Sequence, residues 1–100
     1  MIRVMNRADT LALLTLHKPE LQRRFGVTRL ALFGSRAREQ AREDSDADVL
    51  VGFDGPASSS QYFGVQFYLE DLLGCSVDLV TEKALRPQLR PFVERDAIHV

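Results

Sequence analysis

Three aspartates and one glycine–serine pair are the residues here whose types and spacing could do chemistry. Asp46 and Asp48 stand two apart in SDADVLV, where they open an apolar run. At strand spacing, residues i and i+2 project to the same face, so the two carboxylates would lie close together and repel. A hard divalent cation relieves that repulsion, and Mg²⁺ favours one or two carboxylates together with substrate phosphates. Asp78 lies inside SVDLV between apolar neighbours, where a charge contributes nothing to packing. If the two apolar runs are neighbouring strands, the three carboxylates form one acidic cluster. Such a cluster could hold two metals about 4 Å apart, the arrangement used for in-line phosphoryl displacement. Gly34 and Ser35 end an earlier apolar run, VTRLALF. A glycine lets backbone approach a ligand closely, and a serine with the N–H groups of a helix N-terminus can meet phosphate oxygens. Arg36, Arg38 and Arg42 follow; with a phosphate at Ser35, Arg36 or Arg38 could neutralise it.

Each fragment also has a plainer explanation. Asp46 in EDSDAD suits a turn. Asp78 suits a strand end facing water, Gly34-Ser35 a simple capped turn, and the arginines a solvated helix face. Taken singly, the residues leave these alternatives open; their order along one short chain is what is uncommon.

The elements that must position them can be outlined from pattern. Asp9 or Thr10 can cap a helix through Leu11, Leu14 and Leu16. Pro19 begins a second helical segment or kinks a longer one, and Gly26 closes it. Residues 27–33 alternate as a strand that Gly34 ends. Residues 35–41 can form a short helix, and Glu43, Asp44 and Ser45 a turn. Residues 48–53 read as a strand buried on both faces. Residues 54–60 form a loop, and Ser59 or Ser60 caps a helix to Leu73. Its apolar side is expected to hold Phe63, Phe67, Leu69, Leu72 and Leu73. Residues 76–80 are a third strand, Pro87 opens a last helix, and AIHV can add a short edge strand. Mixed helices and strands in one chain argue for an α+β or α/β fold with a small sheet.

Composition sets the outer bounds. One hundred residues suit a single domain, 1–100. A formal net charge of −1 creates no strong field toward nucleic acid or an anionic membrane. All but Lys18 and Lys83 of the 13 cations are arginine, the residue that fits phosphate or carboxylate with a planar fork. The lone cysteine, Cys75, cannot form an intrachain disulfide and has no basic neighbour to activate it, which fits a structural thiol in a reducing cytoplasm. No window approaches the roughly 20 apolar residues of a membrane span. His17 and His99 show no ligand spacing, and Tyr62, Phe63, Phe67 and Tyr68 form an aromatic stretch that core packing or a partner surface could use.

In this order, GSRARE, then SDADVLV, then VDLV, the chain resembles the minimal nucleotidyltransferases of the DNA polymerase β superfamily. Their pattern is G-S-x-A-R-G, a spacer, S-D-x-D and a later acidic residue on a strand. The resemblance spans almost the whole chain, and the length matches the stand-alone antitoxins encoded beside HEPN-domain ribonuclease toxins. It implies the nucleotidyltransferase fold, a small mixed sheet packed with helices. It further implies that Asp46, Asp48 and Asp78 hold two Mg²⁺ ions, and that Asp78 helps activate the acceptor hydroxyl. Gly34, Ser35, Arg36 and Arg38 would hold the phosphates of ATP. The implied activity is transfer of AMP to a tyrosine hydroxyl of the toxin, and the implied place of action is the cytoplasm. Glu39 replaces the final glycine of the motif; this departure favours an alternative in which the chain silences the toxin by binding alone. Transfer to a small molecule would require an additional acceptor domain.

Overall fold

Asn6, not Asp9 or Thr10, starts the first helix: its side chain accepts the Asp9 N–H at 2.8 Å. The structure, a computed structural model, describes residues 6–37 and 46–100. Helix α1 (Arg7–Phe25) runs unbroken through Pro19 and ends at Gly26, whose φ of 73° lets its N–H close on Gln22 O. A left-handed residue at this position is the usual reason for a glycine cap. Strand β1 (Val27–Phe33) follows at once, and Gly34 opens the four-residue helix α2 (Gly34–Ala37). The expected helix beyond residue 37 and the turn at Glu43–Ser45 lie outside the described residues.

Strand β2 (Ala47–Phe53) pairs antiparallel with β1. Helix α3 (Ser59–Leu73) is capped by Ser58, one residue earlier than expected. Ser58 Oγ accepts the Gln61 N–H at 3.2 Å, and Gln61 Oε1 accepts the Ser58 N–H at 2.8 Å. This reciprocal bonding satisfies two donors at once, which is why Ser58 outcompetes its neighbours. Strand β3 (Val77–Thr81) pairs parallel with β2 across α3. Helix α4 (Arg90–Asp96) begins three residues after Pro87 and leads into β4 (Ile98–His99), which pairs antiparallel with β1 as the expected edge strand. The sheet is therefore mixed, ordered β3-β2-β1-β4.

One sheet face packs on α1 and α3. Leu30, Leu32, Val49, Val51, Leu14, Leu21, Val65 and Leu69 are fully buried there. Each such side chain removed from water contributes on the order of 1.5–3 kcal/mol. On the other face Ala31 and Leu50 are also buried, close to α4, so β2 is indeed covered on both sides. Helix α3 departs from expectation. Its core side is Val65, Leu69 and Leu73, while Phe63 and Phe67 are 50% and 65% exposed. The two phenylalanines lie one helix stripe away from the leucines, stacked on each other with centroids 6.4 Å apart.

Candidate active site

Register brings two of the singled-out carboxylates together. In β2, Ala47, Val49 and Val51 face the helices, so Asp48 projects from the opposite face. In β3, Val77 and Leu79 are buried and Asp78 is exposed. The parallel pairing sets Asp48 directly beside Asp78. In-register neighbours share a face, and adjacent strands lie about 4.8 Å apart. Two aspartates are thus presented side by side at the N-terminal ends of β2 and β3. Asp46 stands exposed one residue before β2, beside Ala47, whose N–H is fixed to Ser76 O at 3.0 Å.

Gly34 completes the corner. Asp48 is partnered across the ladder with Phe33, the last residue of β1, so Gly34 turns over the Asp48 side chain. Its φ is 74°, and a Cβ there would overlap Oδ2 of Asp48 and come within 3.2 Å of its Cβ. Only glycine meets both demands, the left-handed backbone and the close approach to a carboxylate. Ser35 and Arg36 follow in the first turn of α2, and the end of that helix is tied to α1 by Arg7 Nη1, which donates to Ala37 O at 3.2 Å. Arg38 and Glu39 lie outside the described residues.

The donor set suits a hard cation. Carboxylate oxygens from Asp48 and Asp78 are the ligands Mg²⁺ takes, and it commonly uses one or two of them with water and phosphate completing the shell. Among the described residues, no group of three or more His, Cys, Asp or Glu side chains is arranged to hold a metal ion by itself. The in-register pair therefore supplies the fit, and a phosphate-bearing substrate would supply the remaining oxygens.

A sizeable cleft lies elsewhere. About 750 Å³ opens at the far ends of β2 and β3, lined by Phe53, Gly55, Pro56, Tyr62, Phe63 and residues 79–84 among others. Its lining is mostly apolar and contains none of the three aspartates. The chemistry-bearing groups make the aspartate corner the candidate site, because volume alone supplies neither charge nor a nucleophile.

Other expectations resolve simply. His17 shares a 2.6 Å hydrogen bond between Nδ1 and the Tyr68 hydroxyl, so both are structural partners between α1 and α3. Cys75 is half-buried. Perturbed titration is found on α1, where the hydrogen bond from Arg23 holds the Glu20 carboxyl below its ordinary range, and Glu20 in turn raises Arg23. Pattern reading missed Glu70, Gln66 and Tyr62 as groups that reach β3, since nothing local in a helix tells which strand edge it will cover.

Residues 14–100 match the nucleotidyltransferase domain family. The chain belongs to that family. Among its relatives is the protein adenylyltransferase MntA of Thermococcus cleftensis, 43% identical over 89 residues, which cover 89% of this chain and 90% of that one. A solved structure provisionally described as a minimal nucleotidyltransferase is 43% identical, with a TM-score of 0.73 over 92% of this chain and 89% of that chain. The MNT antitoxin structure solved with the tri-AMPylated HEPN toxin of Shewanella oneidensis shares the fold at 20% identity, with a TM-score of 0.58 over 94% of this chain and 67% of that chain. The nucleotidyltransferase has, among its described residues, no helix long and apolar enough to cross a membrane.

Proposed function

We propose that the chain is an antitoxin that transfers AMP from Mg²⁺-ATP to a tyrosine hydroxyl of a partner HEPN ribonuclease toxin, and that residues 1–100 act as one catalytic domain in the cytoplasm. The observation that carries this reading is the Asp48–Asp78 pair, set in register beneath Gly34. The family membership and the names of the relatives support the reaction class.

The roles follow from position. Asp46 and Asp48 would hold Mg²⁺, with Asp78 completing the set. A metal held there would supply positive charge to balance the triphosphate and the departing pyrophosphate. Gly34 leaves room for phosphate to approach the backbone, and Ser35, Arg36 and Arg38 would orient the β- and γ-phosphates. Asp78, exposed beside Asp48, would accept the proton from the toxin's tyrosine hydroxyl. The phenolic oxygen then forms a bond to the α-phosphorus, and the bond from that phosphorus to the bridging oxygen breaks. Pyrophosphate leaves with the electron pair. The product carries AMP on tyrosine, a negative and bulky group that would block RNA from the toxin.

The test is transfer of label from α-labelled ATP to the HEPN toxin encoded beside this chain. Label should move in the presence of Mg²⁺ and fail to move with Asp48→Asn. Absence of transfer, with the toxin still neutralised by Asp48→Asn, would establish the other reading, inhibition by binding alone. One observation favours that reading: Phe63 and Phe67 present a stacked apolar patch to solvent, as a protein-docking surface does. Tyr62 and Tyr68 are engaged internally, so the patch rests on the phenylalanines.

A further inference from the structure

Strand β3 is an edge of the sheet. Ser76, the residue just before it, turns its carbonyl toward β2, where it accepts the Ala47 N–H. Backbone groups alternate in direction along a strand, so the N–H and C=O of Val77 point outward, away from the sheet. Unpaired edge groups of this kind normally face water or another strand. Here α3 covers them with side chains. Glu70 Oε2 accepts the Val77 N–H at 3.1 Å, Gln66 Nε2 donates to Val77 O at 3.4 Å, and the Tyr62 hydroxyl donates to Leu79 O at 2.5 Å. Tyr62, Gln66 and Glu70 are spaced four apart and form one stripe of the helix. The stripe grips the residue before Asp78 and the residue after it.

We propose that this stripe positions Asp78, fixing the end of β3 so that its carboxylate stays level with that of Asp48. The proposal rests on the reading above, in which Asp78 serves the transfer. Asp78 is exposed, so packing does little to aim it; its backbone must. Val77 is held on both its backbone groups, and Glu70 contributes a charge-assisted bond, the stronger kind. Helix α3 thus acts on the reaction from behind the strand, without touching substrate.

The experiment compares Glu70→Leu, Glu70→Gln and Tyr62→Phe with the unaltered chain and with Leu69→Ala, a core change on the same helix. The readouts are kcat and KM for ATP in AMP transfer to the toxin, the Mg²⁺ concentration for half-maximal rate, Tm, and amide hydrogen exchange at Val77. Glu70→Leu should lower kcat about 10- to 100-fold, because small misplacements of a reacting group are costly. It should raise the Mg²⁺ requirement, leave KM for ATP nearly unchanged and speed exchange at Val77. Glu70→Gln keeps an acceptor oxygen and should restore most of the rate. Tyr62→Phe, which loses only a hydroxyl and retains its ring, should lower kcat about fivefold by the same argument. Leu69→Ala should lower Tm most, yet leave kcat and the Mg²⁺ requirement unchanged at temperatures where it is folded.

Wild-type kcat and Mg²⁺ requirement in both Glu70→Leu and Tyr62→Phe would overturn the proposal and leave the stripe as an edge cover alone. So would a kcat loss in Leu69→Ala that matches Glu70→Leu. Asp78→Asn separates the two levels. If it transfers AMP normally, the role of Asp78 falls and the stripe's role with it; if it is inactive while Glu70→Leu is normal, only the stripe's role falls.

Discussion

The two ends of the parallel strand pair could hardly be less alike. At the N-terminal ends of β2 and β3, Asp48 and Asp78 sit side by side under Gly34. At the C-terminal ends lies a cleft of about 750 Å³ with a mostly apolar lining, Tyr62 and Phe63 on its wall and no carboxylate of the site near it. In open α/β sheets, ligands usually gather at the C-terminal ends of strands. Under the proposed function this fold reverses that arrangement, because Asp48 and Asp78 stand at the opposite end. A reaction on a triphosphate needs concentrated negative charge balanced by metal more than it needs an apolar hollow, since its barrier is set by charge movement.

That contrast can be broken or sharpened by substitution. The largest effect is expected from Asp48→Asn, which should reduce AMP transfer about 1,000-fold or more by removing a proposed metal ligand, a loss read by label incorporation. Gly34→Ala comes next. It forces a Cβ into the Asp48 carboxylate and an L-residue to φ 74°, and should cost about 1–3 kcal/mol of stability, measured by denaturant unfolding, along with most of the activity. At the cleft end, Phe63→Ala should leave ATP and Mg²⁺ dependence unchanged while weakening binding to the toxin about tenfold, a loss of the size common for an exposed aromatic anchor; calorimetric titration reads it directly. A cleft-end substitution that abolished transfer to a saturating toxin concentration would erase the distinction between the two ends.

The smallest effect belongs to α1. The Glu20 carboxyl is held below its ordinary value of 4.5 chiefly by the hydrogen bond from Arg23. A depressed folded value means that the pair's contribution is present above the unfolded carboxylate range and is lost as pH falls through the lowered one. Because the pair is solvent-exposed, Arg23→Ala should shift Tm at neutral pH by little more than experimental scatter, and not at all at pH 2.

How much of this could be read from the chain depends on where each signal resides. Gly26 and the VTRLALF strand were legible because a helix stop and an alternating run are local properties. The turn at Gly34 was legible for the same reason. The expected neighbourhood of Asp78 turned out to be a parallel, in-register pairing, and pairing partners follow from the tertiary fold. Phe63 and Phe67 were expected beside Leu69 because large apolar residues dominate a helical pattern; Val65 took the buried stripe instead. The Tyr62–Gln66–Glu70 stripe had no sequence signal at all, since its meaning depends on β3 being an edge.

The most direct measurement is a crystal structure of the chain with Mg²⁺ and a non-hydrolysable ATP analogue. The account predicts metal on the carboxylates of Asp48 and Asp78, with the triphosphate running along Gly34 and the first turn of α2. Nucleotide seated in the apolar cleft at the other end of the strands, with both aspartates bare, would contradict it.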